Sequence, residues 1–370
     1  MSTPVNLNPR LRRALGLPLL VLLSACATIG AGSVNRDRLD YAEALARSWK
    51  EQTLLNIVKL RYADTPVFLE VSSVISSYQL QSQLNLLGTL SYNLTPNLPD
   101  SLGRGATVGA TGSYTDRPTI TYTPLQGDKF THELLRPIAP AALFQLVQAG
   151  YSIDLLFQLA VRAINGVYNR STRPGWTRNA DPAFYQVLDA LRRLQLSEAI
   201  DFRLEKRGPE ETSLITFRSS KATPTVEEDS RFVRTVLGIK PGARELNLTF
   251  GAIPRNDQEL ALLTRSMLEI LLELGARVEA PATDVQEGSA FPVPPASPDS
   301  GPRDQPLVKI HSGAEPPENA FVTVRYSNHW FWIDNRDFRS KAAFTFLLLL
   351  TSLAQTGAVP QAPVITVPAS

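Results

Sequence analysis

The chain has 370 residues, 43% hydrophobic and 19% charged, with a formal net charge of +2. That is an ordinary globular mixture, so disorder is not the default, and the length allows one large domain or two common ones. The first 25 residues hold three arginines and no acid, and without them the rest sits one charge below neutral, which gives no electrostatic reason to expect nucleic acid as a partner.

Arg10, Arg12 and Arg13 form a basic region, and Ala14–Leu23 is a short apolar run broken by Gly16 and Pro18, too short to span a bilayer. It ends Leu23-Ser24-Ala25-Cys26, which resembles the bacterial lipobox: an aliphatic residue, two small ones, then the cysteine acylated before cleavage. Residues 1–25 are therefore expected to be a lipoprotein signal peptide and Cys26 the lipid attachment site; the alternative is a plain secretory signal cut after Ala25. Acylation would leave no other cysteine for a disulfide, a thiolate metal site or a nucleophile. The lipoprotein resemblance carries one more implication: an aspartate after the cysteine signals inner-membrane retention, and Ala27 stands there, which favours the outer membrane with the body in the periplasm.

Residues 26–36 read as a tether. From Leu39 to Arg61 apolar residues recur at helical spacing (Leu39, Ala42, Leu45, Trp49, Leu54, Ile57, Val58, Leu60), giving one long amphipathic helix that ends near Asp64 and Pro66. The period then changes to 2. Even positions from Tyr78 include Leu80, Leu84, Leu86 and Leu90, odd ones Gln79, Gln81, Gln83, Asn85 and Thr89. A second alternating run sets Ala106, Val108, Ala110, Tyr114, Ile120 and Tyr122 against Thr107, Thr111, Ser113, Thr115, Thr119, Thr121 and Thr123, so that 67–125 forms a long amphipathic hairpin.

Phe130–Val167 has a helical pattern cut by Pro137, Pro140 and Gly150, with Ala141–Gln148 and Ile153–Ile164 apolar enough for core, and Asp181 is placed to cap a helix over Pro182–Leu194. Further on, Ala199–Lys206 and Thr212–Arg218 predict a hairpin, Val226–Leu237 a helix and Glu245–Phe250 a strand. Asn256–Leu274 predicts a helix with Asn256 and Glu259 as capping box and a stop at Gly275. Pro281–Pro306 lacks periodicity and reads as a disordered insertion. Strands are expected at Leu307–His311, Phe321–Tyr326 and Val364–Val367, and a buried helix at Ala342–Ala354, which falls short of the ~20 residues of a membrane span. The fold class is α+β: helices and the long hairpin in residues 37–197, then a mixed strand and helix domain over 198–370.

Two features invite function. A strand with one apolar and one polar face matches a membrane barrel, but one hairpin cannot close, so a pore would need a ring of protomers. The competing reading lays the apolar face on the helices of a soluble domain, and Pro118 and Leu87 disturb a regular barrel strand. The second feature is the run from His329 to Arg339, in which Trp330, Trp332, Asp334, Arg336 and Asp337 form a candidate binding cluster; the structural alternative makes the tryptophans part of a core strand and Asp337 a helix cap. His132, His311 and His329 show no metal-ligand spacing, and no phosphate-loop, dinucleotide or serine-nucleophile motif occurs, so neither metal nor cofactor is expected.

Leu54–Tyr62 (LLNIVKLRY), Arg117–Leu125 (RPTITYTPL) and Trp330–Lys341 (WFWIDNRDFRSK) resemble an uncharacterised family of predicted proteobacterial outer-membrane lipoproteins. The resemblance implies an envelope location and a shared fold, with no activity attached. The expected role is a lipid-anchored, non-catalytic structural, assembly or binding protein of the envelope, with envelope proteins or further copies as partners; the alternatives are an oligomeric outer-membrane pore and an envelope hydrolase or glycan-binding protein.

Overall fold

The structure, a computed structural model, describes residues 31–75, 78–90, 104–116, 119–173, 176–207, 210–217, 223–292 and 305–354. The signal peptide, Cys26 and the expected strand at Val364–Val367 lie outside the described residues. The fold is α+β, and its contacts divide it into two compact units, Val67–Gly127 and the rest of the chain.

The larger unit begins with α1 (Ala31–Arg61), which takes in residues 31–36, expected as tether: Ala31–Arg38 holds no proline, and adding turns to an existing helix costs little even across Gly32. α2 (Gly127–Phe130), a π-helical turn (Thr131–Leu135), α3 (Pro140–Gln148) and α4 (Ile153–Ala160) follow. A six-stranded mixed sheet of order β6-β5-β12-β11-β10-β9 is built from β5 (Val161–Ile164), β6 (Val167–Tyr168), β9 (Ile200–Arg207), β10 (Glu210–Phe217), β11 (Glu245–Phe250) and β12 (Glu259–Thr264). It takes strands from both sides of residue 197, so the expected division at 197/198 runs through one hydrogen-bonded sheet. α3 lies against β9 and β11, α4 against β5, and α5 (Pro182–Leu196) against α4 and α6 (Pro224–Val236). The short strands β7 (Ser171–Arg173) and β8 (Trp176–Arg178) pair with each other.

Two expected helices are corrected. Ile153–Ile164 is helical only to Ala160; Val161–Ile164 is β5, turned back into β6 through Asn165 and Gly166, both at positive φ. Asn-Gly with two positive φ angles is the preferred two-residue hairpin turn, and Asn165 reinforces it by donating to Leu237 O and Glu259 O and accepting from Ala261 N at 2.7 Å. Buried Arg265 closes the end of α4, donating to the carbonyls of Gln158, Leu159 and Arg170; burial lowers its pKa, with Glu273 and Glu269 acting against that. Within Asn256–Leu274, Glu259–Thr264 is β12, parallel to β11 and antiparallel to β5, and only Met267–Gly275 is helical (α7). The capping box is Ser266 with Glu269 rather than Asn256 with Glu259. An apolar run buried on all sides has no face to reveal its period, so strand and helix read alike.

The remaining elements are α8 (Ala282–Gln286), β13 (His311–Gly313), β14 (Ala320–Tyr326), β15 (His329–Asp334) and α9 (Phe338–Ala354). α8 falls inside the expected insertion, where Asp284 and Ala290 are buried; residues 293–304 are outside the described set. Val308 and Ile310 are buried but not in a strand, which starts only at His311. β13-β15-β14 form a sheet on which α1 and α9 pack, with Val322, Val324, Phe331 and Ile333 in the core beside Leu54, Ile57, Phe344 and Leu347. Among the described residues no helix is long and apolar enough to cross a membrane.

Gly275 ends α7 where it crosses α1. A Cβ there would stand 2.9 Å from the Ile57 carbonyl oxygen and 3.3 Å from Leu60 Cβ, so the glycine is needed for close approach. Gly275→Ala should therefore destabilise the larger unit by about 1–3 kcal/mol in denaturant unfolding; unchanged stability would show that the crossing yields freely.

Candidate functional site

β15 alternates. Phe331 and Ile333 face the core, while Trp330 and Trp332, half-buried, share the opposite face with their register neighbours Arg325, Thr323, His311 and Gly313. The Trp332 ring covers Gly313, where a Cβ would come within 3.1 Å of it, and lies 5.9 Å from the His311 ring. His311 in turn pairs with Glu279 at 2.8 Å. Asp334 accepts from the Arg336 N–H at 2.8 Å and holds the turn into α9. Asp337 caps that helix, accepting from Ser340 N at 3.1 Å and Ser340 Oγ at 2.7 Å. Burial works against the Asp337 charge, but these bonds and nearby Lys309 outweigh it and hold the carboxyl below its usual range. The two aspartates are thus used locally, and Arg336 is exposed.

Asp181 occupies the N-cap position of α5, but its carboxylate accepts from Tyr168 N at 2.7 Å instead of from the helix.

A constellation with no trace in the sequence gathers where α1 ends. Tyr62 donates to Asp284 Oδ2 at 2.6 Å, His329 Nε2 stands 3.6 Å from the other oxygen of the same carboxylate, and Tyr326 donates to Asp64 at 3.0 Å. The Tyr62 and Tyr326 rings are 5.1 Å apart. Burial first, then the bond to Asp284, push the Tyr62 phenol far above its ordinary pKa, so it keeps the proton it donates to that carboxylate. The Asp64 carboxyl is held low by the Thr65 N–H and then by Tyr326. Next to them Arg61 is buried with its guanidinium 4.4 Å from the Phe291 ring, and its Nε and Nη1 have no hydrogen-bond partner among the described residues. The partners lie 222 and 262 residues apart in sequence, beyond the reach of spacing rules.

A cavity of about 670 Å³ opens beside α6, lined by Val226, Ser230, Arg231 and Arg234 and by the loop carrying Lys240, with Glu227 and Asp257 also on its wall. The mixed charge marks no single ligand.

The smaller unit is the hairpin itself. β1 (Leu69–Ile75) pairs with β4 (Thr119–Pro124) across a bulge between Val71 and Ser73; β2 (Tyr78–Leu90) pairs with β3 (Arg104–Asp116) without interruption. Pro118, expected inside the second strand, lies outside the described residues, between β3 and β4. The β2/β3 register joins even positions to even: Leu80 to Tyr114, Leu84 to Ala110, Leu86 to Val108, while Gln79, Gln81 and Gln83 meet Thr115, Ser113 and Thr111. Every described residue of β4 is exposed, and Leu69, Val71, Ile120 and Tyr122 form an apolar stripe that is 37–51% exposed. A two-stranded ribbon has little stability of its own, which makes this exposed stripe the candidate functional surface.

No family model, characterised protein or solved structure matches the chain.

Replacing Tyr62 by Phe leaves buried Asp284 short of its best donor, so a loss of about 1–3 kcal/mol is expected in chemical unfolding; full stability would mean that solvent replaces the phenol.

Proposed function

We propose that this chain is an envelope lipoprotein, held on the outer membrane by lipid on Cys26 with its body in the periplasm, that works without catalysis as an assembly component. Its assembling element is the Val67–Gly127 hairpin. The observation that carries the reading is the uncovered stripe of Leu69, Val71, Ile120 and Tyr122 on a ribbon only two strands wide. Apolar surface left open on such a ribbon is a contact surface, because burying it against another chain is worth roughly 25 cal/mol per Å².

The anchor rests on Leu23-Ser24-Ala25-Cys26 behind a basic and an apolar region. A single acyl chain binds membranes only weakly and reversibly, so firm attachment needs the several chains of a lipoprotein cysteine or a second membrane contact. The role of the hairpin rests on surface physics alone. The Trp330 and Trp332 face is kept as a local packing feature, since Trp332 is laid over Gly313 and the neighbouring aspartates are bound to their own turn.

Cys26→Ser should move the protein from the membrane fraction to the soluble periplasmic fraction and abolish palmitate labelling; membrane retention without label would refute the anchor. Serine at Val71, Ile120 and Tyr122 should leave the unfolding midpoint of the larger unit unchanged while abolishing co-purification with partners or further copies.

A further inference from the structure

We propose that β2 and β3 of several copies pair edge to edge into a closed barrel in the membrane, with even-numbered positions toward lipid and odd-numbered ones lining a polar, uncharged, water-filled lumen. This rests on the assembly reading above and names the partner: further copies of this chain.

Charge is the first support. Tyr78–Leu90 contains no Asp, Glu, Lys or Arg, and in β3 the only charges are Arg104 and Asp116, its first and last residues. Soluble proteins protect an open edge with lysine, proline, inward charges or a bulge. Here the β1/β4 section carries Glu70 and a bulge, while the β2/β3 section runs through its 13-residue strands with neither. An edge so bare is built to be covered.

Length is the second. Thirteen residues rising about 3.3 Å each span roughly 43 Å, and inclined at about 40° they cover roughly 33 Å along the membrane normal, enough for the apolar band of about 25 Å. The two charges would then fall at opposite ends of β3, in the interfaces. Tyr78 and Tyr114 lie at one end of the even-numbered set, the place of an aromatic girdle.

Register is the third. Because even positions pair with even, the apolar residues of both strands share one face, Leu87 opposite Thr107 excepted, and Gln79, Gln81, Gln83 and Asn85 with Thr107, Thr111, Ser113 and Thr115 share the other. In lipid every backbone N–H and C=O must be paired, and two strands leave two open edges. Each copy offers one β2 edge and one β3 edge; joining β3 of one copy to β2 of the next is a head-to-tail contact that closes when it forms a ring.

The test uses the full lipidated protein in phosphatidylethanolamine and phosphatidylglycerol liposomes, with single cysteines at Gln79, Leu80, Gln81, Gln83, Leu84, Asn85 and Leu86. Cys26 is taken by lipid, so each introduced thiol is unique. A membrane-impermeant maleimide should label odd positions about tenfold faster than even ones, and amine cross-linking of the same liposomes should give a ladder of several copies. Uniform labelling with a ladder overturns the barrel and leaves assembly standing. Uniform labelling with a single band overturns both.

Discussion

A ribbon of two β-strands has two faces and two edges and nothing of its own to cover them. In a larger sheet the neighbours pair the edges and another layer covers a face; between Leu69 and Pro124 each strand has one partner, and the apolar residues Leu69, Val71, Ile120 and Tyr122 are exposed. The hydrophobic effect makes such a surface unfavourable in water, and unpaired backbone groups make it adhesive. The missing cover has to come from outside the ribbon, and this constraint makes the hairpin the part of the chain from which a role can be argued.

The larger unit is by contrast closed upon itself. Its polar groups are used locally: Arg265 on the carbonyls that end α4, Asn165 on three backbone groups around the β5/β6 turn, Asp284 on Tyr62 and His329, Asp337 on the start of α9. Groups tied in this way order a core. Arg61 departs from this, a buried cation with an aromatic ring as neighbour and two nitrogens without a hydrogen-bond partner among the described residues, and it is a cost that the packing of α1 on α7 and β14 has to offset.

The hairpin was legible in the sequence because period 2 is visible wherever one face is polar: Gln79, Gln81 and Gln83 mark the strand as clearly as the leucines between them. The strands at Glu245–Phe250 and Phe321–Tyr326 and the helices α5 and α6 were legible for the same reason or through their proline starts, and α9 through the length of its apolar run. Val161–Ile164 and Glu259–Thr264 were not, because both are short and mostly buried, with one half-exposed residue each, too little to show a period. The Asn165-Gly166 pair was the signal that could have separated β5 from α4, and Ser266 with Glu269 the one that could have started α7 in the right place. The cluster around Asp284 was beyond reach altogether, since it joins α1, α8, β14 and β15 through contacts that leave no local pattern.

The most direct measurement is the particle mass, by light scattering, of the lipidated chain extracted in mild detergent, beside the same chain with Val67–Gly127 replaced by a short Gly/Ser linker. A multi-copy particle that falls to a monomer when the hairpin is removed is the expected result. Equal masses for the two proteins would contradict the assignment of assembly to the hairpin.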